Sequence, residues 1–476
     1  MAEEEQPEEK KDFVSKIVKL LPAISKPEYK QGLNARLKWT GIALLLFLLL
    51  SWITVYGIDE AASFQQFKFF EIVLGSKFGS IMTLGIGPIV TGGIIMQLLV
   101  GSKILKWDTT KPEGRKKFQT WNKFLAVSLA FIEAMAFVLA GALPVQGSLP
   151  IILFVILQLA AGGIIVIILD ELVSKWGFGS GVSLFIAAGV STQIVIGLIS
   201  PLSAGGRVAG GVPGFVFSIF GGDMSLAIAY ILPIITTAIV FAIVVYAQHI
   251  KIQIPLSFSA LRGFGRTWDL KLLYTSNIPV ILTAALIANI QLLGRFGAAV
   301  TPDGLTCSLM GCFDQVGNAV SGVVYYLSAP GGGGFQNSLL SQLVFGTLIP
   351  TEVIRALTYT LFLAIGAMIF SVFWVKTAGM GAETVAKQLD SAGMQIPGYR
   401  RDQKVMTAVL NRYIPPLSVM GGLAIGVLAA FADLIGAVGT GTGILLTVMI
   451  VYNYYEQLQR EKLDDAHPLV RKIVGE

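Results

Sequence analysis

The fold is decided by the stretch Thr83-Leu84-Gly85-Ile86-Gly87-Pro88-Ile89-Val90-Thr91-Gly92-Gly93-Ile94-Ile95-Met96-Gln97-Leu98-Leu99-Val100. It is apolar and nearly as long as a membrane crossing, yet it contains four glycines and a proline. Such residues weaken an isolated helix, but in a membrane bundle they allow neighbouring helices to approach closely. The stretch therefore predicts a transmembrane helix that packs inside a bundle.

A second apolar element, Ala61–Leu74, lies just upstream and is separated by Gly75-Ser76-Lys77. It is too short to cross a hydrocarbon layer of about 30 Å. A half-length element followed by a spanning helix is a broken helix, and irregular backbone at membrane depth occurs only inside protein or along a cavity. We therefore expect the functional centre at this pair of elements.

The composition predicts a polytopic membrane protein. Hydrophobic residues make up 54% of the chain and charged residues only 13%, whereas soluble domains are about 25% charged. Two histidines and two cysteines are too few for a metal cluster or a redox cofactor site, so no metal and no cofactor is expected. The acidic amino terminus lacks the apolar core of a signal peptide.

Apolar runs predict an all-α protein with ten transmembrane helices. Their approximate bounds are Trp39–Gly57, a second span from Ser80, Phe124–Leu143, Pro150–Leu169, Val182–Ile199, Leu226–Tyr246, Pro279–Leu293, an eighth ending near Val375, Leu417–Phe431 and Gly441–Tyr454.

The distribution of basic residues predicts the orientation. If ten spans alternate, about 30 of the 35 Lys and Arg residues fall on the side of the amino terminus. The others are Lys68, Lys77, Arg207, Arg295 and Arg355. Because basic residues favour the cytoplasmic side, both termini are predicted to be cytoplasmic. A missed span would scramble this asymmetry, so the charges also favour the count of ten.

Ten spans divide into two sets of five, and repeats with an odd number of spans must be inverted relative to one another. No identity between the halves is visible in the sequence, so the inversion follows from topology alone. The predicted organisation is a cytoplasmic tail (1–35), a first half (36–200), a second half (201–457) with cytoplasmic loops 248–277 and 376–412, and a tail (458–476). Within the first tail, helical spacing of apolar residues predicts an interfacial amphipathic helix, with a solvated arm as the alternative.

Few residues inside the spans carry chemistry. Glu133 lies well inside the third span and is either a proton relay or a buried polar contact between helices. Asp433 lies between the last two spans, and Glu352 and Arg355 lie near the start of the eighth. Glycine alternation at the start of three spans is no nucleotide-binding fingerprint, because no strand precedes it. No catalytic residue is predicted.

The quoted stretch, together with five others, resembles a known family. The others are LDELVSKWGFGSGVSLFIAAGVS (169–191), SNIPVILTAALIANIQ (276–291), GYRRDQ (398–403), RYIPPL (412–417) and GTGILLTVMIVYNYYEQL (441–458). Together they resemble the archaeal form of the SecY / Sec-alpha family of protein-translocation channels. The resemblance runs from about Leu37 to Val470. It implies a ten-helix clamshell with inverted halves, which acts as a passive conduit for unfolded polypeptide.

By the same resemblance, a ring of apolar side chains closes the pore and a plug helix lies outside it. The implied ring is Ile86, Val90, Val182, Ile186, Ile281 and Leu446. The implied plug is residues 61–74, with a stripe of Phe64, Phe67, Phe70 and Leu74 that could pack under the ring. An apolar constriction excludes water and ions without binding a passing chain.

The resemblance also implies a lateral gate, where signal sequences and transmembrane helices leave toward lipid. Its polar cluster corresponds to Thr91, Glu133 and Asn289, which gives Glu133 a hydrogen-bonding partner. The two cytoplasmic loops would dock the ribosome, with Arg400, Arg401, Arg262 and Arg266 as candidate contacts. The implied partners are small SecE-type (gamma) and Sec-beta membrane subunits, ribosomes, signal-sequence-bearing polypeptides and lipid, in the cytoplasmic membrane.

Cys307 and Cys312 lie outside the matched motifs, on a predicted external loop. Oxidising conditions there would permit a disulfide, and two free thiols are the alternative.

Two other classes of protein fit part of the sequence. A secondary transporter also has inverted halves and broken helices, but it should show paired charges or polar unwound backbone at a midplane site. A membrane enzyme would need a nucleophile with a base, or a metal site, and the sequence offers neither. The inferred apolar centre favours the channel.

Overall fold

The computed structural model describes residue 18 and residues 22–29, 31–58, 77–109, 111–139, 143, 145, 148–201, 203–204, 207–208, 210–258, 265–295, 299–301, 305–314, 319–330, 338–391, 394–395 and 402–464. The predicted plug (61–74), most of the predicted amphipathic helix, and Arg262, Arg400 and Arg401 lie outside these residues. The described helices are α1 (Leu33–Leu50), α2 (Gly87–Gly101), α3 (Pro112–Leu139), α4 (Leu149–Trp176), α5 (Gly181–Ile199), α6 (Gly211–Phe220), α7 (Met224–His249), α8 (Ile278–Leu293), α9 (Val323–Tyr326), α10 (Leu339–Val344), α11 (Pro350–Thr377), α12 (Ala382–Ser391), α13 (Gln403–Leu434) and α14 (Gly441–Asp464).

Ten of these described helices correspond in order to the ten predicted spans: α1, α2, α3, α4, α5, α7, α8, α11, α13 and α14. Seven helices in the described part of the chain, α1, α3, α4, α5, α7, α11 and α13, are long and apolar enough to cross a membrane on their own. Helices α2 and α8 are apolar but shorter. Short spans of this kind are tolerated where they are surrounded by protein.

The second span begins later than the sequence predicted. It was expected from Ser80, but the backbone runs through turns from Ile81 to Ile86 and becomes α-helical at Gly87. Gly85 has φ +48°, a left-handed conformation that glycine adopts without steric cost. The break lies against the turn that follows α1, because the amide of Ile81 donates to the carbonyl of Ile53 (2.9 Å). Helix α2 is therefore a partial crossing entered through a structured turn.

Several connections predicted as loops contain strands. They hold the pair β1 (Ser203–Ala204) and β2 (Arg207–Val208), the hairpin β3 (Lys251–Phe258) and β4 (Gly265–Lys271), and the four-stranded sheet β5 (Ala299–Val300), β6 (Thr306–Ser308), β7 (Gly311–Phe313) and β8 (Ala319–Gly322). The apolar-run analysis missed them because strands this short pair through backbone groups and leave little trace in hydropathy. The membrane-spanning part remains all-α.

The described part of the amino-terminal tail lies against the ends of α3 and α4. The backbone of Ile24 donates to Glu171 (3.1 Å) and accepts from Lys175 (2.5 Å), and the indole of Trp176 donates to the carbonyl of Ser25 (2.7 Å). Glu171 also pairs with Lys123 on α3. All three contacts are made to backbone atoms of the tail, so they fix its path independently of its own side chains.

The candidate pore and lateral gate

One large apolar cluster occupies the centre of the bundle, and it contains the predicted ring. Of the six ring residues, all but Val182 are buried members of this cluster, and Val182 is half-buried and packs against it. The structure therefore brings together side chains from α2, α5, α8 and α14. Two of these helices belong to each predicted half of the chain, so the cluster lies where the halves meet.

Each ring residue lies near the beginning of its helix. Ile86 immediately precedes α2, and the amide of Val90 donates to the carbonyl of Ile86 (3.0 Å), so the two side chains lie on one face. Val182 is the second residue of α5, Ile281 the fourth of α8 and Leu446 the sixth of α14. Four helix starts thus surround the apolar centre, as expected where broken helices line a conduit.

The predicted gate residues are also in contact. The amide of Asn289 on α8 donates to the hydroxyl of Thr91 on α2 (3.1 Å). Glu133 on α3 is buried and hydrogen bonds with Thr91. Its Oε1 atom has no hydrogen-bond partner among the described residues. The cluster therefore links three helices through few polar contacts, and one of its buried acceptors is unsatisfied.

On the face predicted to be cytoplasmic, the two basic loops are joined. Strand β9 (Met394–Gln395), from loop 376–412, pairs with the end of β3 from loop 248–277 and extends the hairpin to the order β4-β3-β9. Tyr274 donates a hydrogen bond to the carbonyl of Met380 (2.8 Å), and burial raises the pKa of Tyr274 to about 12, so it stays a neutral donor at physiological pH. The loops therefore form one surface. Of the four predicted docking arginines, the structure places only Arg266, on β4 opposite Leu256.

On the opposite face, Cys307 and Cys312 are joined by a disulfide across the β6–β7 hairpin, where they are directly paired. Beside this sheet, the guanidinium of Arg355 donates to the carbonyls of Ser328 and Ala329 (3.0 Å each) and pairs with Glu352. The charges near the start of the eighth span thus hold the segment around Ser328 and Ala329 onto α11.

A bundle of membrane helices that meets in an apolar cluster, with helices that start beside that cluster, has the build of a channel rather than of a solute carrier. Among the described residues, the side chains that form this centre are apolar, whereas a solute carrier needs paired charges or polar unwound backbone at a midplane substrate site. The fold and the site therefore define a multi-pass membrane channel that is closed by hydrophobic contact.

Comparison with known proteins identifies the family. The SecY family matches residues 80–455, and the plug domain of Sec61p matches residues 45–79, a range that includes the predicted plug. The protein translocase subunit SecY of Methanococcus vannielii is 42% identical over 466 residues, which cover 97% of this chain and 99% of that protein. The chain belongs to the SecY family of protein-conducting channels.

Solved structures agree with this assignment. A structure described as a protein conducting channel superposes with a TM-score of 0.80 at 42% identity and covers 95% of this chain and 98% of its own. Sec61 in the canine ribosome-channel complex from the endoplasmic reticulum superposes with a TM-score of 0.76 at 40% identity, with the same coverage. The ten-helix clamshell is therefore the fold of this chain.

Of two carboxylates near the ring-bearing helices, sequence analysis noted one, Asp433, and missed the other, Asp170. Asp433, expected between the last two spans, instead lies inside α13, where it is buried. The signal that could have found them is a short repeated motif. Gly179-Ser180-Gly181 and Gly439-Thr440-Gly441 each follow an aspartate at the end of the preceding helix.

Proposed function

We propose that this chain passes unfolded polypeptides across the membrane through its centre and releases signal or transmembrane helices sideways into lipid. It acts as a channel subunit and catalyses no reaction. The proposal rests on one apolar cluster drawn from both predicted halves, in which five of the six ring side chains are buried and against which the sixth, Val182, packs. Such a closure repels water and ions but forms no specific bond, so any sequence can pass once the halves separate.

The polar cluster of Thr91, Glu133 and Asn289 suits a gate that must open. Hydrogen bonds between membrane helices contribute roughly 0.6–2 kcal/mol each. A cluster in which an amide–hydroxyl bond joins Asn289 of α8 to Thr91 of α2 is therefore weak enough for an inserting helix to displace. The plug, residues 61–74, would support the ring from outside through Phe64, Phe67, Phe70 and Leu74.

The function is tested by reconstitution with the partner subunits that we propose, the small SecE-type (gamma) and Sec-beta proteins. Proteoliposomes that contain this complex should carry a ribosome-bound, signal-bearing chain into a protease-protected compartment. A control chain without a signal sequence should stay accessible to the protease. If the complex instead takes up a small solute and protects no polypeptide, the chain is a transporter and the proposal is wrong.

Ribosome docking is proposed for the sheet formed by the two basic loops. A solved Sec61 relative is described in a ribosome-channel complex, and the pairing of β3 with β9 joins the loops that carry Arg262, Arg266, Arg400 and Arg401. Arginines suit this role because they contact phosphate. If Arg400→Glu leaves ribosome affinity unchanged at low salt, where surface charges act most strongly, the assignment is wrong.

We propose the cytoplasmic membrane as the location, with both termini cytoplasmic, from the asymmetry of the basic residues. The expected result concerns two single-cysteine variants, each made in a background that lacks Cys307 and Cys312. A membrane-impermeant thiol reagent added outside intact cells should label a cysteine at Ser225, in the first turn of α7, and should miss one at Lys387 on α12. Permeabilised cells serve as the control, because both sites are then accessible. The reverse labelling pattern would contradict the orientation.

A further inference from the structure

Two of the ring-bearing helices, α5 and α14, begin in the same way. Each follows a Gly-Ser/Thr-Gly motif whose first glycine is left-handed, with φ +82° at Gly179 and +83° at Gly439. Each then enters the helix at the third motif residue. The two helices occupy the fifth place in their predicted halves. The matching backbone therefore reveals a local repeat that sequence identity between the halves does not display.

In both cases an aspartate from the preceding helix accepts a hydrogen bond from a backbone amide in the first turn of the new helix. The amide of Val182 donates to Oδ1 of Asp170 (2.9 Å), and the amide of Thr442 donates to Oδ1 of Asp433 (2.8 Å). The residue that would normally cap α5, Ser180, forms no such bond through its side chain, whereas the corresponding Thr440 accepts a hydrogen bond from the amide of Gly443 (3.1 Å) in α14. A carboxylate at a helix start is favourable because it accepts a hydrogen bond from a backbone amide that has no partner within the helix, and because its negative charge interacts favourably with the helix dipole.

The helix pairs are in close backbone contact at these starts. A Cβ on Gly181 would lie 2.6 Å from Cα of Asp170, and a Cβ on Gly441 would lie 1.8 Å from the carbonyl carbon of Ala432. Distances under 3 Å require the backbone to move. Glycine at these positions thus allows each aspartate to reach across to the next helix, and the carboxylate fixes the start of that helix relative to its predecessor.

The ring residues follow at the same interval. Ile186 lies four residues beyond Val182, and Leu446 lies four residues beyond Thr442, so each is one turn along the face above its capped amide. The capped residue Val182 is itself a ring member. A shift or rotation of either helix start would therefore move a ring side chain directly.

We propose that Asp170 and Asp433 are matched positioning residues that hold the ring side chains of α5 and α14 at the closure of the resting channel. This proposal rests on the proposed function, in which the ring is the seal. Each aspartate acts within its own half, so the bonds persist when the halves separate and the ring re-forms in register on closing. Asp433 is also bonded by the hydroxyls of Tyr359 (2.7 Å) and Thr442.

The test compares alanine and asparagine at both positions in the reconstituted complex, with resting conductance and thermal unfolding measured on the same preparations. Alanine removes the acceptor, and we expect Asp170→Ala to raise resting conductance roughly 2- to 30-fold, the factor that loss of one helix cap implies. Asp433→Ala should exceed it, because Thr442 at the start of α14 then loses the partner of its hydroxyl as well as that of its amide. Asparagine keeps an oxygen that can accept the backbone amide, so both asparagine variants should restore most of the seal.

Tyr359→Phe is the matched control for stability. It removes one buried hydrogen bond from Asp433 but leaves the bond to the amide of Thr442 in place. We expect it to lower the unfolding temperature without changing resting conductance. If the alanine variants behave like Tyr359→Phe, losing stability but staying as tight as the unmodified channel, the aspartates are structural and the proposal is wrong.

A ring variant, Leu446→Asn, separates failure of this proposal from failure of the proposed function. If Leu446→Asn conducts while Asp170→Ala and Asp433→Ala stay tight, the ring is the seal but the aspartates do not position it. If none of the three conducts, the ring is not the seal. Should Asp433→Ala fail to fold, Asp170→Ala decides, because Asp170 is only half-buried and carries fewer bonds.

Discussion

Replacing Ile86 with asparagine will make the resting channel conduct ions. Ile86 is fully buried in the apolar cluster, on the turn that leads into α2. Asparagine has similar bulk but presents an amide whose donors and acceptor need partners. Leaving such a group buried without hydrogen bonds costs about 1–3 kcal/mol. The variant therefore favours states in which water reaches the constriction, by a factor of roughly 5 to 150.

The measurement is single-channel conductance of the reconstituted complex in a planar bilayer. Ile281→Asn, on the facing helix α8, should give the same effect, because its side chain belongs to the same cluster. Leu98→Asn is the matched control. It lies on α2 as well, but its side chain is 40% exposed on the surface of the chain, so it should not leak.

Weak signal sequences should also pass more readily through the Ile86→Asn channel, because less free energy is then needed to open it. Ion conductance and passage of weak signal sequences should rise together, since both follow from a less stable closed state. A leak without easier passage would indicate local damage rather than a shifted equilibrium. If Ile86→Asn and Ile281→Asn are both as tight as the unmodified channel, even with residues 61–74 deleted, these side chains do not form the seal.

The sequence predicted the order of the ten spans well. Each span must hydrogen-bond its backbone within its own helix and must present apolar side chains to lipid or to neighbouring helices, so it appears as a long apolar run in the sequence. It also grouped Thr91, Glu133 and Asn289, which the structure places in contact. Those predictions relied on long motifs that recur within a family. Without those motifs, Glu133 could have been interpreted either as a proton relay or as a buried polar contact between helices.

The sequence could not predict features that depend on pairing between distant segments. The strand Met394–Gln395 joins β3 across more than 130 residues, and neither segment alone has a pattern that requires it. The late start of α2 was missed because Ile81 and its neighbours are as apolar as the helix that follows. The caps from Asp170 and Asp433 were missed because a helix start is usually read from its own cap residue, not from a neighbouring helix.

Replacing Gly162 with alanine should destabilise the protein far more than the same change at its neighbour Gly163. Both glycines are buried in α4, against the turn that leads into α2. A Cβ on Gly162 would lie 1.9 Å from the carbonyl oxygen of Ile81, whereas a Cβ on Gly163 would approach only side-chain atoms, at 3.2 Å or more. The first contact cannot form without moving backbone, but the second requires shifts of a few tenths of an ångström.

Both substitutions gain the same helix propensity. The difference between their effects on the free energy of unfolding therefore reports the contact with the carbonyl oxygen of Ile81. We expect Gly162→Ala to lower the free energy of unfolding by about 3 kcal/mol, the upper range for overpacking, and Gly163→Ala to change it by about 1 kcal/mol or less. Denaturant unfolding of the purified complex measures both.

The same pair has a functional consequence, because Ile81 lies five residues before Ile86 and its amide is held by Ile53. The turn is held on one side by the hydrogen bond to Ile53, and in Gly162→Ala the new methyl group would displace it from the other side. The displacement should therefore be transmitted through the turn to Ile86. Folded Gly162→Ala protein should therefore leak in a planar bilayer, and Gly163→Ala protein should not. Equal stability and equal conductance of the two variants would show that the turn yields freely, and that the ring does not depend on how α4 packs against it.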